Sequence, residues 1–230
     1  IDPRRYGLTE FAVDLPEADQ EDINRLLGID KYKIKYLLPG CMRSKTCYYE
    51  RQVKMDPKLL ELDERYLIGY FQSEKYFIDV REQIRKQIGK LCPMTVQSRY
   101  YSQILAQNAV SVHVRLGDYL KNPGIYGGIC TKEYYRNAIE LMKQRTDQPV
   151  FFIFSDDIAG ARRLFANENC IYIENAAGTE SNQAYSDVTD LQLMSLCNHN
   201  IIANSSFSWW GAWLNSNKEK TVIAPDRWMN

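Results

Sequence analysis

The sequence predicts an α/β protein whose C-terminal half forms a parallel, doubly wound sheet. Three observations predict it. From about residue 105, five short strand-like runs alternate with four helical stripes, which is the rhythm of a parallel sheet with crossover helices. The run "VFFIF" (150–154) is apolar throughout, as strands covered on both faces are. Polar and charged residues collect just after the strands, where such sheets bind their ligands.

The elements read as follows. "PEADQEDINRLLG" (16–28) is a short helix with an acidic first turn and Gly28 as its stop. "YKIKYLL" (32–38), "CYYERQV" (47–53) and "RYLIGYF" (65–71) read as strands. "DPKLLEL" (56–62) opens with Asp56 as N-cap and Pro57 at the first helical position. "SEKYFIDVREQIRKQI" (73–88) spaces Phe77, Val80, Ile84 and Ile88 as a helix does. The regular half follows. "AVSVHV" (109–114) is a strand, "TKEYYRNAIELMKQR" (131–145) a helix capped by Thr131, and "VFFIF" the second strand. "IAGARRLFAN" (158–167) is helical, "CIYIEN" (170–175) a strand, and "DVTDLQLMSLCN" (187–198) a helix. "NIIAN" (200–204), "SFSWWGAWLNSN" (206–217) and "TVIAP" (221–225) close the chain as strand, helix and strand. The expected domains are 1–104, smaller and incomplete, and 105–230, the nucleotide half.

Composition excludes several classes. Lys plus Arg and Asp plus Glu both number 29, so there is no net field for nucleic acid. No apolar run reaches the ~20 residues of a membrane span, and the first residues hold neither Met nor an apolar signal core. Cys41, Cys47, Cys92, Cys130, Cys170 and Cys197 form no Cys-x-x-Cys pair. Reduced thiols are therefore expected, with no zinc site, the alternative being a Cys41–Cys47 bridge in an oxidising compartment.

The strand ends carry the chemistry. The first ends in His113, Arg115, Gly117 and Asp118, and the second in Ser155, Asp156 and Asp157. The third ends in Glu174 and Asn175, and the fourth in Asn204, Ser205 and Ser206, directly before a helix. Asp156, Asp157 or the Asn-Ser-Ser run could each serve only as an N-cap. Arg115 at the inner end of a buried strand, however, is costly unless it meets an anion. A helix N-terminus on the same edge offers N–H donors and a positive dipole end to phosphate. The acidic pair can accept from a base edge or ribose hydroxyls. Together these residues predict recognition of a nucleotide diphosphate. Trp209, Trp210 and Trp213 stand at helical spacing, and at least two of them are expected to be buried against the sheet.

The motifs "HVRLGDY" (113–119), "FFIFSDD" (151–157) and "DLQLMSLCNHNIIANSSFSWWGAWLN" (190–215) resemble the α-1,2-fucosyltransferases, as do "YLIGYFQSEKYF" (66–77) and "VIAPDRW" (222–228). The resemblance runs from about residue 47 to the end and is nearest to bacterial members. It implies a two-domain enzyme of GT-B type with a Rossmann-like C-terminal sheet. It implies GDP-β-L-fucose as donor, a galactose-terminated oligosaccharide or glycolipid as acceptor, inversion at the anomeric carbon, and no metal or other cofactor. It places Arg115 on the donor's β-phosphate, with His113 orienting or sharing that contact. Ser155, Asp156 and Asp157 fall near the guanosine, and Asn204, Ser205 and Ser206 near the phosphates. Asp118 is the candidate base. Many members carry a second Arg where this chain has Leu116, and residues 1–50 lack the family's Gly-Leu-Gly-Asn-Gln opening. Weak transfer by the 230 residues alone is expected on that account. The expected location is cytoplasmic, with peripheral contact at the inner membrane. The rival readings are an α-1,6 or protein O-linked fucosyltransferase and a non-catalytic glycan- or nucleotide-binding module.

Overall fold

The structure is a computed structural model that describes residues 11, 13, 16–32, 39, 42, 44–50, 54–117, 124, 127–166, 168, 170–174 and 183–229, with backbone only for 183–186. The expected strand at 32–38, the segment 175–182, Cys41 and Asp118 lie wholly or almost wholly outside the described residues. The chain divides into two compact units, one over 14–84 and the other over 85–230 together with the residues before 14.

In the smaller unit, α1 (Gln20–Leu27) is capped by Asp19, whose side chain accepts from the Asp22 N–H, and it stops at Gly28 at φ 51°. Gly, with no Cβ, reaches that φ together with ψ −125° without steric cost. The strands β1 (Cys47–Tyr49) and β2 (Tyr66–Ile68) pair in parallel. Asp56 caps a 3₁₀ turn over Pro57–Glu61. The helix expected over 73–88 is instead two 3₁₀ turns, Glu74–Tyr76 and Ile78–Val80, followed by α2 (Arg81–Ile88). Phe77, at φ −139° and ψ 17°, interrupts it.

The larger unit holds a five-stranded, all-parallel sheet in the order β5 (Cys170–Tyr172), β4 (Val150–Ser155), β3 (Ala109–Val114), β6 (His199–Ile201), β7 (Val222–Ile223). The chain starts at the centre with β3, winds outward to β5, then crosses to β6 and winds outward again. A topological switch point therefore lies between β3 and β6, and the crevice beyond their carboxyl ends is the favoured ligand site.

Alternation along β3 sorts the two faces. Val110, Val112 and Val114 join Phe151 and Ile153 of β4 in one apolar cluster. Against it packs α5 (Lys132–Arg145), through Tyr135, Ala138, Ile139 and Met142 at helical spacing. Thr131 caps α5 by accepting from the Tyr134 N–H at 3.2 Å. The same cluster takes Ala161 and Phe165 from α6 (Ile158–Leu164) and the residue that follows it.

The other face carries Ser111, His113, Phe152 and Phe154, all buried. It meets α7 (Gln183–Leu196) and α8 (Ser206–Leu214). Asn200 holds this side together: its Nδ2 donates to Ser111 Oγ (2.7 Å) and the Met194 carbonyl (2.9 Å), and its Oδ1 accepts from Asn215 Nδ2 (2.8 Å). Gly211 lets α8 approach α7, since a Cβ there would stand 3.0 Å from Met194 Cβ.

Residues 89–104, which the sequence leaves unassigned, contain α3 (Pro93–Gln97) and α4 (Arg99–Leu105). They belong with the sheet. Gln192 of α7 accepts from the Cys92 N–H (3.0 Å) and from Thr95 Oγ1 (2.6 Å), and donates to the Lys90 carbonyl (2.9 Å). The compact boundary accordingly falls at 84/85 and not at 104/105. Cys92, Cys130, Cys170 and Cys197 are free thiols.

Candidate active site

At the switch point a cleft of about 520 Å³ opens beyond the strand ends. β3 contributes His113 and, just past its end, Arg115; β4 contributes Phe154, Ser155 and Asp156. Ile158, Ile173, Glu174 and Phe207 complete one part of the wall, and Asp187 and Asp190 of α7 another.

Four of the expected site residues meet here: His113, Arg115, Ser155 and Asp156. Asp157 does not line the cleft. Its Oδ1 accepts from the Gly160 N–H at 2.9 Å and caps α6, the local role open to an Asp after a strand. Asn204 is buried away from the cleft, donating to the Trp228 carbonyl (3.0 Å) and accepting from Cys130 Sγ (3.3 Å). Ser205 and Ser206 sit at the start of α8 and do not line the cleft themselves, though Phe207 in the first turn does. That turn brings helix N–H groups, which have no acceptor inside the helix, to the cleft's edge. Asp118 lies outside the described residues.

The tryptophans take a different arrangement from the one expected. Trp213 is buried while Trp209 and Trp210 are half-buried, and none lines the cleft. The three indoles pack on one another, with ring centroids 5.1–6.2 Å apart, and the Arg85 guanidinium lies 4.8 Å over Trp213. Neighbouring rings on one short helix satisfy each other before the sheet can cover them all.

Arg115 and Asp156 form an ion pair, Nε to Oδ2 at 3.5 Å, with about a quarter of each side chain exposed. The same carboxylate accepts from the backbone N–H of Leu116 (2.9 Å) and of Gly117 (3.1 Å). His113 is buried beside Phe207, at 5.5 Å between ring centroids, and its Nδ1 has no hydrogen-bond partner. Burial, then the Arg115 charge, push its pKa down to about 3 against the weaker pull of Asp156. His113 is thus a neutral imidazole, and Arg115 carries the positive charge at this end of the strand.

Asp190 is opposite in sense. Burial, then the neighbouring Asp187, raise its pKa to about 7. Strand-end reasoning missed this pair because it sits on a helix. The signal was present: "DVTDLQLM" places two carboxylates three apart in a helix whose Val188, Leu191, Leu193 and Met194 are core. Glu174, at the end of β5, is held at 2.6 Å by Arg162.

Comparison with known proteins settles the family. The family model described as Glycosyl transferase family 11 matches residues 26–230. The chain belongs to glycosyl transferase family 11. Among relatives of this family 11 chain, the O-antigen biosynthesis glycosyltransferase WbnK of Escherichia coli is 36% identical over 98% of this chain and 79% of its own length. An alpha-1,2-colitosyltransferase of Escherichia coli is 38% identical over 70% of this chain. A galactoside 2-alpha-L-fucosyltransferase SEC1 of Bos taurus is 29% identical over 64% of it. The chain spans 55% and 41% of those two proteins. A crystal structure of POFUT1 in complex with GDP aligns at 13% identity with a TM-score of 0.40, covering 71% of this chain and 55% of that one, a likeness too slight to build on. The family 11 assignment agrees with the α-1,2-fucosyltransferase motifs in the sequence.

Proposed function

We propose that this family 11 chain transfers L-fucose from GDP-β-L-fucose to the 2-hydroxyl of a terminal galactose, inverting the anomeric centre and using no metal. One observation carries the reading: Arg115 and the first turn of α8 border the same cleft, at the switch point of a doubly wound sheet. Breaking the sugar–phosphate bond builds positive charge on the sugar and loads negative charge onto the departing GDP. A fixed guanidinium and helix N–H groups stabilise charge that grows toward the transition state, which is where stabilisation raises rate. They also supply the positive charge that a metal would otherwise bring.

The far wall fits the base. Guanine presents an N1–H and an exocyclic amino group side by side, and carboxylates accept from both. Asp187 and Asp190 are the carboxylates in that wall, whereas adenine offers no such edge. The acceptor attacks from the face opposite GDP. Asp118, three residues past Arg115 in sequence, is the base proposed to take its proton. We place the enzyme in the cytoplasm and assign it a GT-B arrangement; among the described residues no helix is long and apolar enough to cross a membrane. The colitosyltransferase relative favours a second donor. Colitose is fucose without its 3-hydroxyl, and a cleft shaped for one accepts the other unless a polar group reads that position.

The test is transfer from GDP-fucose to a terminal β-galactoside in excess chelator, with the product linkage read by NMR. An α-1,2 bond formed at an undiminished rate is expected. Activity that vanishes in chelator and returns with Mn²⁺ or Mg²⁺, or fucose on another hydroxyl, contradicts the proposal.

A further inference from the structure

We infer that Asp156 is a positioning residue for Arg115 and does not itself hold the nucleotide. The inference rests on the donor-site reading above, although its structural half can be tested without any ligand.

An ionised carboxylate has about four acceptor positions; this one spends two on backbone N–H groups of the chain and also pairs with a guanidinium. Oδ1 takes the Leu116 N–H, while Oδ2 takes the Gly117 N–H and faces Arg115 Nε. All three groups belong to consecutive residues at the point where β3 ends. One side chain from β4 therefore ties down the turn after β3 and the arginine that begins it. The ion pair on the Nε side draws the guanidinium toward β4, and a planar fork so held is what lets an arginine grip a diphosphate with two parallel hydrogen bonds.

The neighbouring residue fits the same reading. A Cβ on Gly117 would stand 2.9 Å from Asp156 Oδ2. A side chain at 117 would therefore have to push aside the carboxylate that the Gly117 N–H binds, while φ at this position demands no glycine. The pattern Arg-Leu-Gly at 115–117, together with an Asp just past the next parallel strand, is a single device spread over two strand ends.

The test is a double-mutant cycle read by GDP affinity, with backbone NMR beside it. Asp156→Asn is expected to weaken GDP binding about tenfold, one decade in the dissociation constant. In an Arg115→Met background the same change is expected to do nothing further, because a residue acting through Arg115 has nothing left to position. Gly117→Ala displaces the carboxylate from the other side. It is expected to reproduce the Asp156→Asn loss, without adding to it, and serves as the second route should Asp156→Asn fold poorly. In the protein without nucleotide, the Leu116 and Gly117 amides are expected to exchange slowly with solvent, and quickly in Asp156→Ala, which removes both acceptor oxygens where Asp156→Asn keeps one. An Asp156→Asn loss that persists in full on the Arg115→Met background overturns the inference, since it marks direct contact with GDP. So do Leu116 and Gly117 amides that are unaltered by Asp156→Ala. Wild-type protein that binds no GDP refutes the donor-site reading, while the amide exchange still decides where Asp156 acts.

Discussion

Arg115→Lys is expected to lower kcat/KM for glycosyl transfer by roughly a hundredfold or more, the loss typical of removing one preorganised donor from a developing anion. Lys keeps the charge, so simple Coulomb attraction to a diphosphate survives. What it loses is geometry. The ammonium has no Nε to pair with Asp156 and no planar fork to present to two oxygens. His113 is neutral and so adds no second positive charge there. The loss should fall on kcat as well as KM, since charge on GDP grows as the bond breaks. The fold should persist, because the Arg115 side chain stands at a cleft edge with about a quarter of its surface exposed. Steady-state kinetics beside thermal unfolding checks both halves, and near-native turnover at saturating donor would contradict the assigned role.

Asp190→Asn is expected to make the protein acid-labile where the wild type is not. His113 normally titrates near 6.5 and is held down to about 3 in the fold. Below pH 6.5 the unfolded chain therefore binds a proton that the native state refuses, and stability falls as pH falls. Asp190 normally titrates near 3.8 and is raised to about 7. Between those values the native state holds a proton that the unfolded chain lacks, so stability rises as pH falls through 7. Each slope approaches ~1.4 kcal/mol per pH unit, and the signs are opposite. Between pH 6.5 and 5 the two contributions nearly cancel. Removing Asp190 leaves the His113 slope alone, a loss of about 2 kcal/mol over that interval. His113→Gln leaves the opposite slope and a gain of similar size. Urea unfolding of the three proteins at pH 6.5 and 5 measures this, and parallel pH profiles for wild type and Asp190→Asn would contradict it.

Much of the sheet half was legible in the sequence because its elements obey local rules strongly. The strand at 109–114 and the helix start at Thr131 lie where β-branched alternation and a capping hydroxyl put them. The strand-end rule brought His113, Arg115, Ser155 and Asp156 together. It failed for Asp157, Asn204, Ser205 and Ser206, because a residue after a strand can face the next helix's N–H groups or the core as readily as the crevice. Asp187 and Asp190 were invisible to that rule, since their place depends on how α7 lies across the sheet. Residues 89–104 were missed for a different reason. Helices of five and seven residues are shorter than the window over which periodicity shows, and α3 is held by Gln192, about a hundred residues away in sequence.

A structure of the protein with GDP bound tests the central claim most directly. The account predicts the diphosphate within hydrogen-bonding distance of the Arg115 guanidinium and the first-turn N–H groups of α8. It places the guanine edge toward Asp187 and Asp190, and the Asp156 carboxylate still on the Leu116 and Gly117 amides. GDP bound elsewhere, or in this cleft with its phosphates away from Arg115, would contradict it.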